Sequence, residues 1–380
     1  MSKLELLIKE LCPDGVEYKS LEKCCNILDN KRKPVTKSSR LIGEYPYYGA
    51  NGIQDYVSDY IFDGKFVLVG EDGSVLTKNG TPVVTWAEGK IWVNNHAHII
   101  SEINGISIRY LFHYLQTVNI TPLIRGNIPK LTGKDFKTIL IPIPPLPVQE
   151  EIVHILDKFT ELTTELTTEL TMRKQQYQYY RDKLLTFEDE VEWKTLGEIG
   201  DIKMCKRILK NQTSDIGDIP FYKIGTFGKE PNAYISREIF DEYKSKYNYP
   251  KIGDILISAS GTIGRTVVFD GQDSYFQDSN IVWIDNDESQ ALNKYLFYFY
   301  KVAKWEIAEG GTIRRLYNDN LKKTKIPLPP LEEQQRIVDI LDRFDTLVND
   351  IKEGLPAEIE ARQKQYEYYR DKLLTFKKLI

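Results

Sequence analysis

IPIPPLPVQEEIVHILDKF, residues 141–159, returns as IPLPPLEEQQRIVDILDRF at 326–344, with 12 of 19 positions identical. Further along, RKQQYQYYRDKLLTF (173–187) returns as RQKQYEYYRDKLLTF (362–376), with 12 of 15 identical. Upstream, GNIPKL (126–131) stands over GTIRRL (311–316) at the same offset of 185, and VEYKSLEKCCNI (16–27) is echoed by VEWKTLGEIGDI (191–202). Two copies of one unit fill the 380 residues, and each unit is far longer than a solenoid repeat.

Each copy has a variable and a matched part. The variable parts carry short β-rich runs: FVLVG (66–70), VVTWA (83–87), HAHII (96–100), DILIS (254–258), TVVFD (266–270) and NIVWI (280–284). Gly, Asn and Asp turns separate them. Helical patterns intervene at 106–118 and 291–305. The mixture predicts an α+β globular domain in each half.

The matched parts predict long helices. Proline fixes φ and turns its predecessor away from the α region, so IPIPP is extended. No Pro or Gly occurs between Pro147 and Gly197, which predicts one helix from about Gln149 to Phe187, roughly 58 Å long. Ile152, Ile155, Phe159, Leu162 and Leu166 form an apolar stripe that requires a partner. The second copy offers Ile337, Ile340, Leu341, Phe344, Leu347 and Ile351, with a break expected at Gly354 and Pro356. The simplest arrangement is an antiparallel coiled coil leading out of two globular domains. Within the first helix, TELTTELTTELT (160–171) writes one tetrapeptide three times. Threonine is a mediocre helix former and Glu161, Glu165 and Glu169 stack like charges, so the neighbours must enforce the helix. Each copy adds roughly 6 Å of helix, the length expected of a ruler unit.

Charge and composition exclude several classes. The net charge is −4: +2 for residues 1–147, and −2 for each of 148–187, 188–330 and 331–380. No segment is strongly basic, so an anionic partner must be met by focused patches such as Lys203, Lys206, Arg207 and Lys210, or Arg314, Arg315, Lys322, Lys323 and Lys325. No apolar run approaches the ~18 residues of a membrane span. Cys12, Cys24, Cys25 and Cys205 have no paired spacing and read as reduced thiols of a cytosolic protein, with neither disulfide nor zinc expected. His96 and His98 alternate along a strand and read as structural or exposed rather than as ligands. There is no P-loop, no dinucleotide glycine fingerprint, no Asn-Pro-Pro-aromatic or Asp-Pro-Pro-aromatic run, no G-x-S-x-G and no H-E-x-x-H. PDGVEYK (13–19) lacks the spacing of a nuclease centre, and no catalytic or metal residue is assigned.

The proline motif, YQYYRDKLLTF and VEWKTLGEIG resemble the conserved regions of type I restriction–modification specificity subunits, and the threefold TELT resembles the tetrapeptide spacer of some members. The resemblance implies an α+β fold with pseudo-twofold duplication: target-recognition domains at 1–147 and 188–330, spacer helices at 148–187 and 331–380 forming an antiparallel pair, and chain ends close together. It implies double-stranded DNA as ligand and a bipartite asymmetric target. It also implies two modification subunits that bind S-adenosylmethionine and methylate adenine N6, and restriction subunits that use ATP and Mg; this chain needs no cofactor itself. One departure is that Ile141 to Phe187 spans 46 positions and Ile326 to Phe376 spans 50, which breaks strict symmetry.

Loop positions then expected at DNA are Lys31, Arg32, Lys33, Lys37, Arg40, Tyr47, Tyr48, Asn51, Glu71, Asp72 and Ser74 in the first half. In the second they are Lys206, Arg207, Tyr222, Lys223, Thr226, Ser258, Ser260, Thr262 and Arg265. Gly70, Gly73, Gly261 and Gly264 are expected to let backbone approach DNA. Two other readings compete: a self-sufficient restriction–modification polypeptide, opposed by the missing catalytic motifs, and a coiled-coil scaffold whose globular ends bind proteins.

Overall fold

The computed structural model describes residues 2–187, 191–307 and 315–379. The chain is α+β and divides into two compact units: residues 1–167 with 358–380 (unit 1), and 168–357 (unit 2). Among the described residues no helix is long and apolar enough to cross a membrane.

Unit 1 is built on a six-stranded sheet, in the order Asn26–Ile27, Ala97–Ser101, Phe62–Gly70, Val84–Val93, Ile42–Gly49, Gly52–Val57. Its ladders are antiparallel except where Tyr47 and Tyr48 run parallel to Trp92 and Val93. Unit 2 repeats the plan in shorter pieces. Asp201–Lys203, Ile281–Asp285, Ile255–Ser258 and Thr266–Val268 form one sheet, and Tyr234–Ile235, Ile219–Tyr222 and Tyr275–Phe276 another, whose last pair is again parallel. All six expected β-runs fall on these strands.

The duplication extends to individual hydrogen bonds. Buried Gln149 accepts from Ser107 N–H at 3.0 Å and donates to Gly105 O and Pro144 O. Buried Gln334 accepts from Leu292 N–H at 2.9 Å and donates to Gln290 O and Pro329 O. Each glutamine ties the start of a long helix to the turn before the shorter helix, Ile108–Leu115 or Asn293–Tyr300. Gln149→Leu removes three buried bonds and orphans the Ser107 amide, so unit 1 is expected to lose about 3 kcal/mol in urea unfolding. A loss below about 1 kcal/mol would deny the bonds that weight.

The first long helix is Leu146–Leu184, 39 residues. It begins three residues before the expected Gln149 because Pro147 falls in the first turn, where no intrahelical N–H bond is lost. Threonine is accommodated by hydroxyl bonds to the carbonyl four residues back, Thr160 to Leu156, Thr163 to Phe159 and Thr164 to Thr160. The apolar stripe is buried at Ile152 and Leu156, but Leu162 is 44% exposed, so it fades inside the TELT segment. The second copy is broken as expected, into Leu331–Asn349 and Leu355–Leu373. A Cβ at Gly354 would lie 2.4 Å from Thr346 O. The copy offset changes from 185 at Phe159/Phe344 to 189 at Arg173/Arg362, so the four extra residues fall where this turn interrupts the helix.

Phe159 stacks on Tyr369 at 5.3 Å in unit 1, and Phe344 on Tyr180 at 5.7 Å in unit 2, the same contact made twice. The partners come in reverse chain order, as antiparallel pairing requires. In unit 1 the C-terminal residues join the N-terminal ones: Val16 N–H donates to Lys377 O and Leu379 N–H to Val16 O, each at 2.9 Å.

Candidate functional site

Backbone register gives the residue equivalences between the units. Ile27 pairs with Ile100 as Ile202 pairs with Ile284, so positions 29, 32 and 98 correspond to 204, 207 and 282. Glu71 N–H donates to His96 O, and Leu131 N–H to Glu71 O, as Ala259 N–H donates to Asn280 O and Leu316 N–H to Ala259 O. Asp72 bridges Lys130 as Ser260 bridges Arg315. Arg32 and Arg207 therefore occupy one backbone position, as do Lys130 and Arg315.

Their side chains part company. Arg32 turns inward, 12% exposed, donating to Glu71 Oε2 at 2.6 Å, Ala97 O at 2.7 Å and Asp29 O at 2.9 Å. His98, 1% exposed, meets Asp29 Oδ2 at 2.6 Å through Nδ1 and Leu131 O at 2.9 Å through Nε2, and stacks on Phe136. Burial pushes the Asp29 carboxyl up, but bonds from His98 and Ile99 N–H and the charge of Arg32 outweigh it and hold it below its ordinary value. Both His98 nitrogens are thus engaged within the cluster. Lys130 completes the cluster 3.4 Å from Glu71. Asp29, Glu71 and His98 have donor atoms close enough for a metal, but Arg32 and Lys130 already neutralise the carboxylates. In unit 2 the corresponding residues are Met204, Ala259 and Val282, and Arg207 is left 68% exposed, bonded to Asp278 Oδ2 at 2.8 Å.

Each unit opens a polar depression at this place. In unit 1 Asn51, Gln54, Asp72, Ser74, His96, Ile128 and Lys130 line about 550 Å³. In unit 2 Arg207, Lys210, Lys223, Asp278, Asn280 and Arg315 are among the residues lining about 370 Å³.

Of the sequence-expected positions, Asn51, Asp72 and Ser74 are thus brought together in unit 1, and Arg207 and Lys223 in unit 2. Lys31, Lys33 and Lys37 are exposed outside the unit 1 depression, and Lys206 is exposed beside the Tyr247 ring. Other positions are spent on structure. Arg40 lies over the Tyr47 ring and pairs with Asp55. Tyr47 is buried, its hydroxyl bonded to Val35, and Tyr48 is buried beside it. Glu71 belongs to the Arg32 cluster. Tyr222 stacks on Phe276, away from the depression. Thr226 closes a turn on Lys223, and buried Ser258 accepts from Arg265 N–H. Ser260 is buried with its hydroxyl on Asn280, and Arg265 donates to Phe227 O and to Thr262, itself exposed. A Cβ would meet Ser74 O at 2.6 Å from Gly70 and Trp305 Nε1 at 2.4 Å from Gly264, so these two glycines serve internal packing. Arg314 lies outside the described residues. Gln54, His96, Lys130 and Asn280 were not among the expected contacts, and Arg315 was named only within a basic cluster, although the GNIPKL/GTIRRL repeat sets Lys130 over Arg315.

One hydrogen-bond scaffold used twice, with an unlike polar depression on each copy, defines a duplicated recognition protein. The family model described as the type I restriction modification DNA specificity domain matches residues 13–173 and 188–361. The chain belongs to this family. It is 60% identical over 370 residues to a putative type I restriction enzyme specificity subunit of Haemophilus influenzae, covering 95% of this chain and 96% of that one. To the EcoR124I/EcoR124II specificity subunit of Escherichia coli it is 38% identical over 297 residues, 72% of each. The crystal structure of a type I S subunit from M. genitalium shares the fold, with a TM-score of 0.59 at 14% identity over 95% of this chain and 96% of that one.

Proposed function

We propose that this chain reads a bipartite, asymmetric double-stranded DNA target, one half-site per unit, and leaves the chemistry to partner subunits in the cytoplasm. The observation that carries the reading is the pair of depressions: equivalent backbone positions hold different side chains, as two heads with different base preferences require. In the second half the cations Arg207, Lys210, Lys223 and Arg315 face one depression with the single carboxylate Asp278, a focused positive field in a chain of net charge −4. Methylation with S-adenosylmethionine falls to modification subunits, and ATP- and Mg-dependent translocation and cleavage to restriction subunits. The repeated YxYYRDKLL surface supports two copies of one modification partner: Tyr179 and Tyr368 are 60% and 62% exposed at matching positions. The threefold TELT is proposed as the ruler that sets the gap between half-sites.

The Lys206→Glu, Arg207→Glu double variant, assembled with its modification partner, is expected to bind DNA about 10-fold more weakly. The slope of log affinity against log salt is expected to fall by about 2. Fluorescence anisotropy at several salt concentrations measures both, and unchanged values would remove this loop from the interface.

A further inference from the structure

The two depressions share a three-residue arrangement. In unit 1 the Asp72 carboxylate is bonded to His96 Nδ1, and Lys130 is bridged to Asp72 through the backbone. In unit 2 the Ser260 hydroxyl donates to Asn280 Oδ1 at 2.7 Å, and Arg315 is bridged to Ser260. The backbone bonds that position these trios are the same two in each unit: Glu71 to His96 and Leu131 to Glu71, Ala259 to Asn280 and Leu316 to Ala259. In each trio the first two side chains bond one another and are thereby oriented, while the third is a cation. The Lys130 ammonium also lies 3.4 Å from Glu71 and 4.0 Å from Asp72, and its side chain is 48% exposed, so it lines the depression with part of its charge already paired.

We propose that Lys130 and Arg315 are the matching base-reading cations of the two heads, each directed at an acceptor-rich guanine edge, with Asp72–His96 and Ser260–Asn280 as their positioning pairs. This rests on the DNA-reading function above and specifies where in each head it is exercised. The donor balance supports guanine. With its carbonyl oxygen taken by Ser260, Asn280 has its amide N–H groups to offer, and Arg315 spends one Nη2 bond on Ser279 O at 2.8 Å, leaving other N–H groups of its fork. A guanidinium fork or an ammonium matches guanine O6 and N7 in the major groove, whereas adenine and cytosine present a donor there. The two heads differ in kind: an ammonium on a flexible stem in unit 1, a planar fork in unit 2. The fork is expected to discriminate more sharply.

The test maps base preference of the chain assembled with its modification partner, by competition among duplexes substituted at each base pair of the methylated site. Arg315→Ala is expected to relax discrimination by about 5- to 150-fold at one guanine of one half-site and nowhere else. Lys130→Gln, which keeps a donor beside Glu71, is expected to do the same, less sharply, at one guanine of the other half-site. Arg315→Lys is expected to recover part of the lost preference. Relaxation in neither half-site, or an equal loss of affinity for all sequences (the mark of a phosphate contact), overturns the assignment. If the unmutated assembly shows no sequence preference at all, the proposed function fails instead.

Discussion

Deleting one TELT copy is expected to leave both half-sites readable and to shorten the gap between them by one or two base pairs. Four residues are about 6 Å of helix, against about 3.4 Å per base pair. They are also about 40° more than one full turn. The faces that bury Ile152 and Leu156 on one side of the repeat and Tyr177 on the other therefore keep nearly their present orientation. The threonine bonds to carbonyls four residues back re-form at the new junction, since the repeat is itself four residues long. A site with the original gap would then have one half-site out of register at several base pairs. At about 1–3 kcal/mol for each mismatched pair, its affinity is expected to fall at least about 100-fold. Mapping methylated sequences of the assembled variant measures the gap, and an unaltered gap would sink the ruler. Deleting two residues rotates one face by about 160° and is expected to abolish assembly or recognition altogether.

The architecture was legible in the sequence because duplication leaves a record that packing does not erase. The proline motif and the paired helices announced two units, and the alternating runs announced their strands. The helix start escaped because proline has two meanings, and only the first-turn position of Pro147 tells which applies. The candidate site was half legible. Arg32 and Arg207 carry the same local signal, a cation pair in a loop after a short strand. What separates them is 39 residues away in one case and 52 in the other: Glu71 draws Arg32 inward, and Ala259 has nothing to offer Arg207. Tyr47 and Tyr48 likewise carry interface-like composition, but their strand is paired on both sides and buries them. A residue type in a loop states what a side chain can do; the strand across from it states whether the side chain is free. Arg315 stood in a basic cluster, but Lys130 did not; what linked the two was the fixed offset of the repeat.

The inward Arg32 cluster should be the most sensitive point of unit 1. Glu71→Ala leaves Arg32, 12% exposed, and Lys130 without this carboxylate, and leaves Asp29, already bonded to His98, to balance Arg32. Removing one partner of a buried ion pair costs about 3–5 kcal/mol, because the remaining charge stays desolvated. Unit 1 is expected to lose that much in urea unfolding monitored by Trp86 and Trp92 fluorescence. Unit 2 has Ala259 at the matching position and should unfold as before. The double variant Glu71→Leu, Arg32→Met removes both charges and is expected to recover most of the loss. A single-variant cost below about 1 kcal/mol would show the pair to be solvated. Acid should reproduce part of the effect. The folded Asp29 carboxyl sits below its unfolded value, so its contribution is complete above about pH 4 and disappears as pH falls through the lower folded value. In Glu71→Ala that acid dependence should persist, since Asp29 keeps His98, whereas Asp29→Asn should flatten it. The same substitution pattern explains why the two matching arginines are used differently. Unit 1 uses its arginine to bind its own loops together, and unit 2, with Met204, Ala259 and Val282 packed in the same space, frees the matching arginine for the surface.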